Sequence, residues 1–417
     1  MTKDNFCVAP WMHLHVINDG RAFPCCQTPL EDKHAYGNVR ETAIHDILNS
    51  TKAKGMRKDM LTGVPLPSSC ERCTSKEKHG FGSMRTGMNQ KWLPQVQDEV
   101  DATHADGTID NPVIKNWDYR FSNFCNLACP TCGPLFSTQW HADYKKLFPD
   151  YPITEKALVD LKDADLFWSD FSKYANHAKE IHIAGGEPFM MPENNKVLTA
   201  LEQEENYDIA IRYSTNCTVL KQGKENILDR LQKFSYIHLS CSVDAAGDAF
   251  EYIRYKGKWD VVLNNLKEIR QSGHNYWIHP TVSILNIFRI TELHEELWNA
   301  DIIPAKRVHY NADGTGAEFH IENYWVDRMH FNPLFVPEYY SMTIMPAHLK
   351  EQAADKITTY GKRLEKEHSI PFHGWQALID FMYQADDSHL YDEFLSKTHN
   401  LDKLRGNDFY KINKEFK

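Results

Sequence analysis

Three cysteines stand within a single short stretch, FSNFCNLACPTCGP, as Cys125, Cys129 and Cys132. Sulfurs spaced this closely converge when the loop wraps around a common centre, and that requirement constrains the fold more than any other part of the chain. A closed tetrahedral metal site takes four ligands, so a three-cysteine loop leaves one corner for something else. The remaining cysteines are not scattered. Cys7, Cys25, Cys26, Cys70 and Cys73 fall near the N-terminus, and only Cys217 and Cys241 stand apart. The opening MTKDNFCVAPW lacks a basic-then-apolar leader, and no apolar run approaches the roughly 18–20 residues of a membrane span. A cytoplasmic protein is therefore expected, without membrane contact. A reducing compartment does not keep structural disulfides, so the clustered cysteines point to metal or iron–sulfur binding.

The sequence around that loop has a regular rhythm. Between about 115 and 310, short apolar runs at 116–122, 180–185, 208–214, 236–243, 276–283 and 306–310 alternate with helical stretches. The helical stretches fall near 134–148, 154–176, 192–206, 223–233, 257–272 and 288–300. Strand–helix alternation of this length predicts a parallel sheet with right-handed crossovers. Six such units are fewer than the eight of a closed barrel, so a partial barrel is one outcome and a doubly wound sheet the other. The unusual loops all leave the carboxyl end of a strand, where α/β folds place their sites. They are CNLACPTC, then GGEP from Gly185 to Pro188, STN from Ser214 to Asn216, and SVDAAG from Ser242 to Gly247.

Residues 1–114 read differently. MHLHVINDGRAFPCC has the pattern of a hairpin about Asn-Asp-Gly, a helix is expected near 41–61, and 95–114 reads as a linker. Beyond 311 the chain turns aromatic, then becomes helical near 346–367, 372–384 and 388–405. The net charge of −10 gives no electrostatic footprint for nucleic acid. The alternating histidines, such as His13, His15 and His182, are expected on solvent-facing strand positions, and none is assigned to metal. Cys217 and Cys241 are read as small core residues, and Asp244 as a cap for a helix or turn.

The three-cysteine loop followed by GGEP resembles the radical S-adenosylmethionine (radical SAM) superfamily over roughly residues 116–310. STNCT resembles the family's TNGT segment, with Cys217 where glycine is usual. SVDAAGDAFEYIR resembles the segment of sulfatase-maturase-like members that ends in arginine. Thr131 departs from the aromatic residue many members carry beside the last cysteine. The resemblance implies a partial (β/α)6 TIM-like barrel over 115–311, an α/β fold with a small N-terminal module at 1–114 and a helical C-terminal region at 312–417. It implies that Cys125, Cys129 and Cys132 hold a 4Fe–4S cluster whose open iron takes S-adenosylmethionine. Gly185, Gly186, Glu187 and Pro188 would position the amine of that cofactor. Ser242 and Arg254 would hold its carboxylate, with Asn216 close by; a guanidinium suits a carboxylate by its fork geometry. Cys7, Gly20 and Cys25, then Cys70 and Cys73, resemble a twitch or SPASM module holding one auxiliary 4Fe–4S cluster, with Cys26 able to replace Cys25.

The resemblance further implies reductive cleavage of S-adenosylmethionine to methionine and a 5′-deoxyadenosyl radical that abstracts hydrogen from a substrate. An electron donor such as flavodoxin or ferredoxin would be needed. The preferred substrate reading is a small polar metabolite of sugar or nucleotide type, because no distinct peptide-recognition domain is visible. The alternative is a peptide or protein side-chain maturase. A third reading, a non-catalytic metal-binding scaffold or electron carrier, would have Cys125, Cys129 and Cys132 grip zinc with a histidine such as His141.

Overall fold

The computed structural model describes residues 5–78, 82–150, 153, 155–303, 325–326 and 328–417. Its centre is a ten-stranded sheet. Five strands fall where the apolar runs predict: β4 (Asn116–Arg120), β5 (Glu180–Ala184), β6 (Ala210–Thr215), β7 (Tyr236–Cys241) and β8 (Asn275–Ile278), each parallel to the next. The sixth expected strand, 306–310, lies outside the described residues, as do the histidine-bearing stretches HYN at 309–311 and HIEN at 320–323, which the sequence pattern also places on alternating strand positions. The sheet position beside β8 is held by the parallel pair Met329–His330.

Successive side chains of a strand point to opposite faces, and here the two faces differ in kind. Trp117 and Tyr119, Ile181 and Ile183, Ile211 and Tyr213, and Ile237 and Leu239 are buried in the main apolar core. Phe167 and Phe171 from the helix Asp165–Tyr174, Leu198 and Leu201 from Pro192–Gln203, and Leu266 and Ile269 from Trp259–Gln271 join that core. Covering one face of a parallel sheet with crossover helices gives the expected α/β layering, about a partial TIM-like barrel. The helix expected over 154–176 begins only at Asp165. The preceding residues instead run beside the end of β4, where Asn123 N donates to Val159 O and Leu161 N donates to Phe121 O.

The opposite face is polar, and its residues share one register row: His15, Asp118, His182, Arg212, His238 and Asn275. This corrects the expectation that the alternating histidines face solvent. His13, His15 and His238 are buried, because the strand face opposite the helices is the concave inside of the barrel.

The N-terminal hairpin is β1 (His13–Val16) and β2 (Arg21–Phe23), antiparallel about a turn in which Gly20 has φ of 95°. A third short strand, β3 (Gly37–Asn38), follows. β1 lies parallel to β4, from His13 opposite Asn116 to Val16 opposite Tyr119. The hairpin thus extends the barrel sheet itself. The stretch expected as a linker is also fixed: its start belongs to the helix Met84–Asp101, and buried Arg57 donates to Gly107 O at 2.7 Å. After the barrel come the helices Ala347–His368, His373–Tyr383 and Tyr391–Arg405, close to expectation. Among the described residues no helix is long and apolar enough to cross a membrane.

Candidate functional site

The three-cysteine loop leaves the carboxyl end of β4, and four of its carbonyls, those of Cys125, Leu127, Ala128 and Cys129, are held by donors from outside the loop. Ser137 Oγ donates to Leu127 O at 2.5 Å, Trp140 Nε1 to Cys129 O at 2.8 Å, and Thr138 Oγ1 to Cys125 O at 3.2 Å. Ala128 N donates to Tyr255 O at 3.0 Å. Arg405 from the last long helix donates to Ala128 O at 2.8 Å, with its guanidinium between the rings of Trp140 and Tyr255. Such a loop holds its sulfurs in place before any ligand arrives. Cys125 and Cys129 are buried and Cys132 is partly buried, all within one apolar pocket with Leu127.

Burial pushes the thiols of Cys125 and Cys132 up to about 12, and the neighbouring Cys129 adds to both. Cys129 is also raised by burial, while the Arg254 guanidinium opposes it.

The GGEP loop, leaving β5, is zipped to the three-cysteine loop. Gly186 N donates to Ser122 O at 2.9 Å and Glu187 N to Phe124 O at 2.8 Å. A Cβ on Gly186 would stand 2.2 Å from Phe124 O, and Gly185 has φ of 116°. Both glycines are therefore needed for the approach of one loop to the other. Pro188 opens the short helical turn Pro188–Met190, which Glu187 caps.

Glu187 is fully buried and engaged on all sides by protein donors. Oε1 accepts from Thr215 Oγ1 at 2.8 Å and Phe189 N at 3.1 Å, and Oε2 accepts from Asn216 N at 2.7 Å. Burial raises its carboxyl to about 7 against the pull of these hydrogen bonds. Its side chain braces the STN loop. Asn216, thus placed, turns Nδ2 to Asn126 Oδ1 at 3.1 Å and lies 3.7 Å from Cys125 Sγ. Cys217 adopts φ of 58°, the left-handed conformation that explains why glycine is usual at this place in the resemblance. Cys217 and Cys241 are both buried in the core, as expected.

Arg254 ends the helix Gly247–Ile253 and lies with Nη1 3.9 Å from Cys129 Sγ. Its guanidinium is forked onto Asp244, with Nε 2.6 Å from Oδ2 and Nη2 donating to Oδ1 at 2.9 Å. Asp244 also accepts from Thr281 N at 2.8 Å. Asp244 is thus the buried counter-ion of Arg254, which corrects its reading as a cap. Ser242 is half-buried on the same rim, its N donating to Thr215 O at 2.8 Å. Sequence reasoning missed both Asp244 and Arg405, the first for being read locally and the second for lying 277 residues from its partner.

The N-terminal cysteines form a second group. Burial raises the thiols of Cys7, Cys25 and Cys70, and the nearness of the other cysteines of the group, Cys73 among them, adds to each. Cys26 has other neighbours besides Cys25. It faces Asp118 and Arg120 of β4 and lies 3.6 Å from Met84 Sδ. All ten cysteines are free thiols.

The family model described as the radical SAM superfamily matches residues 119–298, and that of an iron–sulfur cluster-binding domain, SPASM, matches residues 7–74. No curated protein matches the chain. Among solved structures, native anSMEcpe with bound AdoMet and Cp18Cys peptide is 13% identical, with a TM-score of 0.39 over 60% of each chain. Streptococcus suis SuiB bound to S-adenosylmethionine is 14% identical, with a TM-score of 0.36 over 77% of this chain and 63% of that one. The structure of TYW1 with a lysine-pyruvate adduct is 15% identical, with a TM-score of 0.30 over 58% of this chain and 70% of that one. The chain spans less than two thirds of the length of the first two.

The residues present fit the groups these domains carry: a 4Fe–4S cluster with S-adenosylmethionine, and an auxiliary iron–sulfur cluster. Both groups gather buried or half-buried thiols, the donor type that iron–sulfur clusters take. Cluster ligands bind separate irons and so stand further apart than ligands of one ion. Among the described residues, no three His, Cys, Asp or Glu side chains close down onto a single-ion site.

Proposed function

We propose that this chain, which joins a radical SAM superfamily core to an N-terminal iron–sulfur cluster-binding domain, modifies a peptide or protein side chain. The observation that carries the enzymatic reading is the three-cysteine loop, fixed at the carboxyl edge of the barrel with Arg254 beside Cys129 and the GGEP backbone zipped against it. When bound, the core cluster and S-adenosylmethionine would supply reductive radical chemistry able to take a hydrogen from a substrate.

The chain's own residues supply placement. Cys125, Cys129 and Cys132 hold the core cluster, and Cys7, Cys25, Cys70 and Cys73 the auxiliary one. Arg254, oriented by Asp244, stands beside Cys129 and would bring positive charge to a bound cluster and to the cofactor's carboxylate. Gly185 and Gly186 let their loop, which would face the cofactor's amine, lie close to the cysteine loop. Glu187 acts as a positioning residue: its carboxylate holds Thr215 and Asn216, so that Asn216 stands beside Cys125. Ser242 lies on the same rim and completes the polar surround. The burial of these groups excludes water, which strengthens their electrostatic hold on a charged ligand.

For the substrate, the domain pair favours a side-chain maturase over the small polar metabolite expected first, since the matched cluster-binding domain is the one the maturase resemblance invokes. The test is anaerobic reconstitution with iron and sulfide, then S-adenosylmethionine and dithionite, reading 5′-deoxyadenosine. Peptides encoded beside the gene, synthesised with deuterated side chains, supply the substrate arm. Deuterium appearing in 5′-deoxyadenosine supports the proposal. Cleavage no greater than in Cys125→Ala defeats the enzymatic reading, and transfer from sugars or nucleotides alone defeats the peptide reading.

A further inference from the structure

On the concave face of the barrel, two strand rows below the Gly186 rim, an imidazole sits between a carboxylate and a hydroxyl. His182 of β5 has Nδ1 3.5 Å from Asp118 Oδ1 of β4 and Nε2 3.0 Å from Ser214 Oγ of β6. The strand register fixes this order, because Asp118 is paired with His182 and Ser214 follows Arg212, the partner of His182, by two residues. Asp118 is itself over-determined. Arg120 Nη1 donates to the same Oδ1, and His15 Nδ1 lies 3.4 Å from that oxygen and 3.2 Å from the Asp118 backbone carbonyl. Asp118 is buried, yet 30% of the His182 side chain remains accessible. A carboxylate that fixes one imidazole nitrogen leaves the other as the acceptor, in the same sense that a third group orients a catalytic base.

We propose that His182 is a catalytic proton acceptor facing the substrate, oriented by Asp118, and that the substrate side chain presents a hydrogen-bond donor, hydroxyl or ammonium, where Ser214 Oγ now lies. In the step, the substrate O–H or N–H bond breaks as an Nε2–H bond forms. The resulting imidazolium is held at Nδ1 by the Asp118 carboxylate, and no electron is transferred. This rests on the peptide side-chain reading above and extends it by naming the class of side chain.

The charged surroundings bear on the pH behaviour. His182 faces Asp118 and Arg120 from β4 and Arg212 from β6. His238 from β7, His279 beyond β8 and Glu180 on its own strand are the other titratable neighbours. Burial draws the imidazole below its ordinary value and Asp118 opposes this, so removal of the Asp118 charge moves it further down.

The test uses the reconstituted holoenzyme without reductant, and reads carbethoxylation of His182 by diethyl pyrocarbonate, peptide-mapped by mass spectrometry from pH 5 to 8.5. The probes are the blocked tripeptides Ac-Ala-Xaa-Ala-NH2 with Ser, Lys, Ala or Leu at the centre. Ser or Lys probes are expected to slow modification of His182 at least threefold more than Ala or Leu probes. Asp118→Asn is expected to lower the modification midpoint by about one pH unit. Ser214→Ala, which keeps the Asp118 hub intact, is expected to speed modification severalfold and to retain the donor-dependent protection. Equal protection by all four probes, none by any, or a midpoint indifferent to Asp118 in folded protein overturns the proposal. No SAM cleavage is needed for this readout. An enzyme that cleaves S-adenosylmethionine but shows no donor selectivity fails this inference alone, and donor selectivity without cleavage fails the functional reading alone.

Discussion

Arg405, in the last long helix, donates a hydrogen bond at 2.8 Å to the carbonyl of Ala128, inside the three-cysteine loop. Its Nε also pairs with Asp143 at 3.0 Å, and its guanidinium is held between Trp140 and Tyr255, 4.4 and 4.5 Å from the ring centres. The C-terminal region therefore buttresses the loop that the proposed chemistry depends on. A stacked and forked guanidinium of this kind cannot be replaced by an ammonium.

Arg405→Ala is expected to weaken the loop by about 2 kcal/mol, the value of a charged hydrogen bond. Iron at the core cluster should then be lost to a chelator roughly 10–30 times faster, and Arg405→Lys should restore little of it. An unchanged rate of iron loss in Arg405→Ala would show that the loop holds its shape without this helix.

Gly186→Ala should separate the two rim loops, because the new Cβ would stand 2.2 Å from Phe124 O. Forcing such an overlap costs on the order of 1–3 kcal/mol. Iron analysis after reconstitution should show loss confined to the core cluster, with Cys7, Cys25, Cys70 and Cys73 still loaded. A full iron complement would contradict the packing role.

Cys25 and Cys26 are adjacent in sequence and differ in their surroundings. Cys25→Ala should remove about four irons per chain, whereas Cys26→Ala should leave the count intact, since its thiol faces Asp118 and Met84. The reverse pattern of iron counts would exchange their assignments.

Glu187 gives a pH signature in the metal-free protein. Its carboxyl is raised from 4.5 to about 7, chiefly by burial. Between those values the folded chain keeps a proton that the unfolded chain releases. Stability should fall as pH rises from about 4.5 to 7, by roughly 3 kcal/mol from this group, and level off above. Glu187→Gln should flatten that slope, although its amide opposes the Asn216 N–H and lowers stability at pH 5. Urea unfolding of both proteins at pH 5 and 7.5 measures the difference, and equal slopes would remove Glu187 as the source.

The parts of the fold legible in the sequence are those whose causes are local. Strands such as Glu180–Ala184 and Tyr236–Cys241 announce themselves as apolar runs because crossover helices cover one face. The cysteine loop and GGEP follow them at the expected edge. What was not legible depended on which face of an alternating strand is the inside. His15 and His182 alternate as solvent-facing residues do, yet the barrel curves around them. Nor does any local pattern pair Asp244 with Arg254 in preference to a helix cap, or bring His13 beside Asn116 over 103 residues. The pairing of β1 with β4 is a long-range event, and the residues that would lead one to a separate N-terminal module say nothing against it.

That pairing has a consequence for how the two cysteine groups relate. With β1 hydrogen-bonded to β4, the interval between them is set by the strand ladder, about 4.8 Å per step across the sheet, and not by the length of covalent chain between. Residues added at Asp110 and Asn111, both on the surface, would lengthen the tether and leave that interval as it was. The separation of the two groups is thus held by backbone hydrogen bonding across the sheet and not by the length of the connecting segment.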